Sequence, residues 1–177
     1  SVIDKYGVFD HTNLSPKFLN MYVGFSNAIV GTVVLVSFGV TDFFSSTTLL
    51  ALTVGMVQGL SLIILFWSLK NNDVTRVMPI WSAYPLWVLL IALTLTNETL
   101  TFNQLFCILL LISGSIIANI KIDKLTTLKF SIKSFIVLIF GTLLFGVSQV
   151  INKEVVQNIP VIEAFGFRGI GVCLTLA

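Results

Sequence analysis

From Thr47 to Leu69 the chain reads TTLLALTVGMVQGLSLIILFWSL, with no Asp, Glu, Lys, Arg or His. A helix rising 1.5 Å per residue needs about 20 such residues to cross roughly 30 Å of hydrocarbon. The pattern repeats on both sides of this stretch: charge-free runs occupy residues 18–41, 43–69, 77–97, 99–120 and 134–152. Hydrophobic residues make up 56% of the chain and charged residues only 10%. Mean hydropathy is +1.00. A soluble domain of this length needs more polar surface than that. We therefore expect an all-α membrane protein, a multi-helix transmembrane bundle in contact with the lipid bilayer.

Charge and cysteine usage exclude several classes. The formal net charge is +2 and dispersed, which gives no footprint for nucleic acid. Cys107 and Cys173 both lie in apolar runs and read as free buried thiols. Neither a disulfide framework nor a metal site is indicated, and no cofactor. The chain opens on Ser1 and stops within an apolar run at Ala177, so we read it as an internal fragment; residues 1–17 lack the basic and apolar regions of a signal peptide.

Six helical segments are expected. Segment A (18–40) follows Asn13-Leu14-Ser15-Pro16, where Ser can cap and Pro can occupy the first turn. Segment B (47–69) holds Gly55 and Gly59, four apart on one face, where a second helix backbone can approach closely. Segment C (75–96) carries Pro79 and Pro85, and the latter removes a backbone hydrogen bond deep in the span. Segment D (102–120) opens on the capping-box spacing Thr101-Phe102-Asn103-Gln104. Segment E (134–152) and the entering part of segment F, from Pro160, complete the series, giving five spans and a sixth begun. Connections fall near 41–46, 70–76, 97–102, 120–133 and 153–160. The Lys-rich link 121–133 is the one seam. Gly24-Phe25-Ser26 follows Pro16 much as Gly166-Phe167-Arg168 follows Pro160, which pairs A with F across that seam. A repeat unit of five helices places the next unit upside down, as in many secondary transporters.

The order Ser68-Leu69-Lys70, Tyr84-Pro85-Leu86, Asn97-Glu98-Thr99-Leu100-Thr101, Gln104 and Ile112-Ser113-Gly114 resembles the half-repeat ending of the EamA-like branch of the drug/metabolite transporter superfamily. The fit runs from about residue 47 to 120, and the stretch from the Lys-rich link to Arg168 resembles the start of a second half. This sequence departs from the family pattern at Asn97, where Gly usually precedes the Glu, at Cys107, where Gly is usual, and at Ser26, where Arg often sits. The resemblance implies a ten-helix transporter of two inverted five-helix halves. On that basis residues 1–120 are a first half lacking its first helix, 121–133 a link, and 134–177 the start of the second half. It also implies a small-molecule solute as partner and residence in the cell membrane, plasma or inner.

No catalytic constellation is present. His11 lies in a polar connection, and no carboxylate stands near the middle of a complete span. Glu98 and Glu163 each sit at the start of a helix, where the amide-rich terminus favours an acidic side chain, and substrate contact is the alternative. Arg168 lies about 12 Å into segment F at 1.5 Å per residue. A charge there faces a cavity or a partner, or else snorkels to the interface. Asn27, Gln58, Tyr84, Ser113 and Thr142 are polar groups near span centres, available for interhelical bonding or for lining a pathway. From these, the solute-path candidates are Gln58, Tyr84, Pro85, Arg168 and Asn27, and the helix-packing candidates are Gly55, Gly59 and Gly114. Trp67 and Trp81 read as interface anchors first and solute platforms second.

Two functions are in play: alternating-access transport of a small metabolite or drug-like solute as a secondary carrier or exporter, and a non-transporting structural or assembly role. A membrane-embedded enzyme is the least favoured third reading, because lipid-modifying enzymes typically display His, Asp or Cys clusters at the interface and this sequence shows none. Orientation draws opposed readings. Lys5, Lys17, Lys70, Arg76, Lys121, Lys124, Lys129 and Lys133 fall on one side against Lys153 on the other, so the positive-inside rule makes the first side cytoplasmic. The resemblance implies the reverse, because cytoplasmic termini would put the mid-chain link outside.

Overall fold

The computed structural model describes residues 15–39, 43, 45–72, 74–95, 102, 106–107, 109–110, 113–114 and 132–177. Six helices are fully delimited among the described residues: α1 Pro16–Phe38, α2 Ser46–Asn71, α3 Val74–Trp81, α4 Tyr84–Leu95, α5 Ile132–Asn158 and α6 Val161–Leu176. There is no strand among the described residues. Among the described residues four stretches are long and apolar enough to cross a membrane: Lys17–Phe38, Ser46–Asn71, Arg76–Thr94 and Lys133–Asn158. Segment D falls mostly outside the described residues; Phe102, Phe106, Cys107, Leu109, Leu110, Ser113 and Gly114 within it are helical and exposed. His11, Glu98 and residues 121–131 of the Lys-rich link also lie outside them, whereas Ile132 and Lys133 open α5.

Local chemistry sets the ends. The Ser15 hydroxyl accepts from the Phe18 amide at 3.3 Å with Pro16 in the first turn, and Gly39 closes α1 at φ 78°, a conformation glycine adopts without strain. The Ser45 hydroxyl accepts from the Thr48 amide at 3.2 Å. At the far end of α2, Asn72 sends its backbone and side-chain N–H groups to the Ser68 carbonyl, at 3.0 and 3.1 Å. The helices run further than the charge pattern indicates. Lys70 and Arg76, within the expected 70–76 connection, are helical, since α2 runs to Asn71 and α3 starts at Val74; likewise the expected 153–160 connection shrinks to 159–160, with Lys153 and Glu154 in the last turns of α5. Charge marks where hydrocarbon ends, but a helix keeps its own backbone bonds into the polar interface.

Bulky residues lie outside and small ones inside. Tyr22, Ile29, Val36 and Phe140 are exposed, whereas the largest fully buried side chains are Leu138, three valines and the hydroxyl residues Thr48, Ser61, Ser68, Thr142 and Ser148. In water such a surface would aggregate; in lipid the acyl chains solvate it, and small residues let backbones pack closely. Helix α6 lies between α1 and α2. Gly24 meets Cys173 and Leu176 while Gly31 meets Gly166, so α1 and α6 are antiparallel. Gly55 meets Arg168 and Gly171 while Gly59 meets Val172 and Thr175, so α2 and α6 are parallel. Helix α5 packs on α2, with Gly141 against Ile64, and carries α4 on its other side. The apolar core, Leu35, Ala51, Val54, Val155, Ala164 and Phe167, forms where α1, α2, α5 and α6 converge.

Candidate functional site

Two regions concentrate the features on which function can draw. The first is the seam around α6. A methyl group on Gly55 would collide with the Arg168 carbonyl and come within 2.9 Å of both Gly171 Cα and Val172 N. One on Gly59 would lie 2.7 Å from Thr175 Cβ, and the Thr175 hydroxyl donates across the seam to the Met56 carbonyl at 3.2 Å. On the other flank, a methyl on Gly31 would lie 2.6 Å from the Gly166 carbonyl, and one on Gly169 would lie 2.6 Å from the Asn27 carbonyl. The contacts are therefore backbone against backbone on both sides of α6. Gly114, the third packing candidate, has no described atom within 4 Å of such a methyl.

The second region is the wall made by α3, α4 and α5. Segment C is two helices, interrupted at Ser82 and Ala83; the Ser82 and Ala83 amides reach back to Met78 and Ile80 carbonyls at 2.8 and 3.2 Å. Pro85 has no N–H to return to the Trp81 carbonyl, so the break falls where the proline chemistry puts it. Between this broken helix and α5 lies a cavity of about 500 Å³, bordered by Pro79, Ala83 and Trp87 on one side and by Phe135, Ile139 and Thr142 on the other. The Trp87 indole donates to the Thr142 hydroxyl at 3.1 Å, and that hydroxyl donates to the Ile139 carbonyl at 2.7 Å.

The five solute-path candidates divide between these regions. Asn27 and Arg168 belong to the α6 seam: Asn27 Nδ2 donates to the Val23 carbonyl at 2.8 Å, and the half-buried Arg168 guanidinium lies 5.3 Å from the centre of the Phe165 ring. Gln58, on α2 beside Gly59, has a buried Oε1 with no hydrogen-bond partner among the described residues. Tyr84 and Pro85 belong to the second region, with the Tyr84 ring edge-on to Phe145 at 4.8 Å. None of the five borders the cavity. Sequence reasoning missed Trp87 and Phe135 altogether and noted Thr142 only as a polar group. Their signal was weak, since an apolar wall residue and a lipid-facing residue are alike in composition. Trp67 is exposed, as an interfacial anchor requires, but Trp81, the last residue of α3, packs at 5.4 Å on Phe145 of α5. Glu163, in the first turn of α6, is 4% exposed.

Residues 8–120 match the EamA-like transporter family, which covers well over half of the chain. The chain belongs to that family. Its members are membrane transporters of the drug/metabolite superfamily rather than enzymes, and this chain is accordingly an integral membrane protein with a transporter's helices. No curated protein and no solved structure matches the chain. In this EamA-like chain the matched region takes in α1 to α4, whereas α5 and α6 lie beyond it.

Proposed function

We propose that this chain forms part of a secondary carrier or exporter of small metabolites or drug-like solutes, working by alternating access between two inverted halves, in the plasma or inner membrane. Residues 134–177 begin the second half. The observation that carries this reading is the contact between α1 and α6. Two repeats in the same orientation would set corresponding helices parallel; inverted ones set them antiparallel, as α1 and α6 are. The faces correspond as well. With Gly24 matched to Gly166, Asn27 matches Gly169 and Gly31 matches Cys173. The close pairs are Gly24 with Cys173, Asn27 with Gly169 and Gly31 with Gly166, so each contact maps onto another or onto itself. Any antiparallel pair reverses order, but packing alone does not require matched positions to occupy both contact faces. An isologous contact about a two-fold axis does.

On this reading Gln58, Arg168 and Asn27 stand beside the axis, where carriers hold polar groups near the midplane, and Tyr84 and Pro85 flank the broken helix. The test is solute flux in vesicles reconstituted with the full-length protein. Saturable uptake of at least one solute in a panel of amino acids, sugars, nucleosides and lipophilic drugs supports the proposal. Flux no greater than in empty vesicles for the whole panel, with correctly folded protein, rejects it in favour of a structural role.

A further inference from the structure

We propose that the cavity between α3–α4 and α5 binds neutral, lipophilic aromatic solutes arriving from the bilayer. This deepens the carrier reading and rests on it for the role of the site in transport. The volume, about 500 Å³, lies within the range that holds drug-sized ligands. Among the described residues no charged side chain borders it. Its polar groups on side chains, the Trp87 indole N–H and the Thr142 hydroxyl, donate to one another's neighbourhood in series: indole to hydroxyl at 3.1 Å, hydroxyl to the Ile139 carbonyl at 2.7 Å. An ionic group entering here would lose its hydration and meet no counter-charge, whereas an apolar ring loses nothing by the transfer. Trp87 and Phe135 supply ring partners for an aromatic guest.

Access is lateral. Leu86, Leu90 and Phe135 border the cavity and are themselves exposed, so its mouth opens on the surface that hydrocarbon wets. One wall also contains the helix break. Ala83, the residue in the turn at Ser82 and Ala83, borders the cavity, and Pro85 leaves the Trp81 carbonyl without its usual helical partner. The wall that contacts the guest is thus the one whose backbone can change angle. A guest there is placed to bias the α3–α4 angle, and with it the state of the carrier.

The test is photolabelling of the full-length protein in phosphatidylcholine–phosphatidylglycerol vesicles with phenyl(trifluoromethyl)diazirine, read residue by residue. Competitors are N-phenylnaphthylamine and its sulfonated analogue, anilinonaphthalene sulfonate, which share a ring system and differ by one anionic group. The expected result is labelling at Trp87, Phe135 and Ile139 that the neutral competitor suppresses, with the anionic one weaker by on the order of tenfold or more. Labelling of α1, at Ile29 and Val33, should be unaffected by either. Ala83→Phe should fill the cavity and remove the protected labelling. If that variant does not fold, the competition on the unaltered protein decides alone. Labelling that neither competitor suppresses, uniform with that of α1, means bulk lipid only and overturns the proposal. Equal protection by the two competitors overturns the choice of a neutral guest. Flux is measured separately: protected labelling without transport keeps the site and removes the carrier reading, whereas saturable flux without protected labelling removes the site alone.

Discussion

At Gly55 the missing side chain is what allows α2 and α6 to touch. A methyl group there would run into the Arg168 carbonyl and two further backbone atoms, none of which can rotate away. Gly55→Val should therefore cost about 1–3 kcal/mol or more through overpacking, seen as a lower Tm and a reduced folded fraction by size exclusion in detergent. Gly39→Ala is a control of another kind. Nothing lies within 4 Å of it, so its expected cost of about 1 kcal/mol comes from φ 78° alone. The Trp87–Thr142 pair gives a second residue-scale prediction. Thr142→Val leaves the indole N–H without its acceptor in an apolar setting and should lower stability by about 1–3 kcal/mol. Adding Trp87→Phe removes the orphaned donor and should recover part of that loss, measured as a double-mutant cycle on Tm. A second mutation that simply adds its own loss would show the bond to be energetically silent. The glycine spacing was legible because 55 and 59 must share a helix face. The Trp87–Thr142 bond was not, because residues in different segments show no pairing signal in one sequence.

The element that departs most from a plain apolar helix is segment C. Its charge-free run is continuous from 77 to 97, yet it folds as α3 and α4 with a break at Ser82 and Ala83. Pro85→Ala restores an N–H that can reach the Trp81 carbonyl, and propensity then favours a straight helix by up to about 3 kcal/mol. We expect normal or raised folded yield together with several-fold slower uptake per folded molecule in reconstituted vesicles, if bending of this wall belongs to the transport cycle. Unchanged uptake at normal yield would confine the proline to a static kink. The proline itself announced a distortion. Its position relative to α5, which makes one face of the broken helix a cavity wall, needed a partner element that no local pattern specifies.

Among the described residues the charges near helix ends sort by end of the bundle. Because α1 and α5 are each antiparallel to α2, Lys17, Lys70, Arg76 and Lys133 gather at one end of the bundle, and Lys153, Glu154 and Glu163 at the other. By the positive-inside rule we expect the first end to face the cytoplasm. A cysteine introduced at the exposed Asn71 should accordingly be modified by a membrane-impermeant maleimide only after cells are opened. Modification from outside intact cells would reverse the topology, in agreement with the orientation that the family resemblance implies. The contact of α1 with α6 belongs to this scale too. The short match of Gly24-Phe25 with Gly166-Phe167 suggested a repeat, and the identity of a few residues says little about which faces meet.

Hydropathy decided the solvent, the helical class and the approximate spans, since in hydrocarbon a backbone has no partner but itself and any apolar run of sufficient length must be helical. It also indicated where glycine would allow close approach and where proline would bend a helix. The family resemblance was carried by short local motifs of the same kind. What only the tertiary structure decided is adjacency: α6 between α1 and α2, Tyr84 against Phe145, and a cavity bordered by Trp87, Phe135 and Thr142 rather than by Gln58 and Arg168. In a bilayer the apolar faces of a helix are nearly interchangeable toward lipid and toward protein. The choice among them is made by steric fit between helices far apart in sequence.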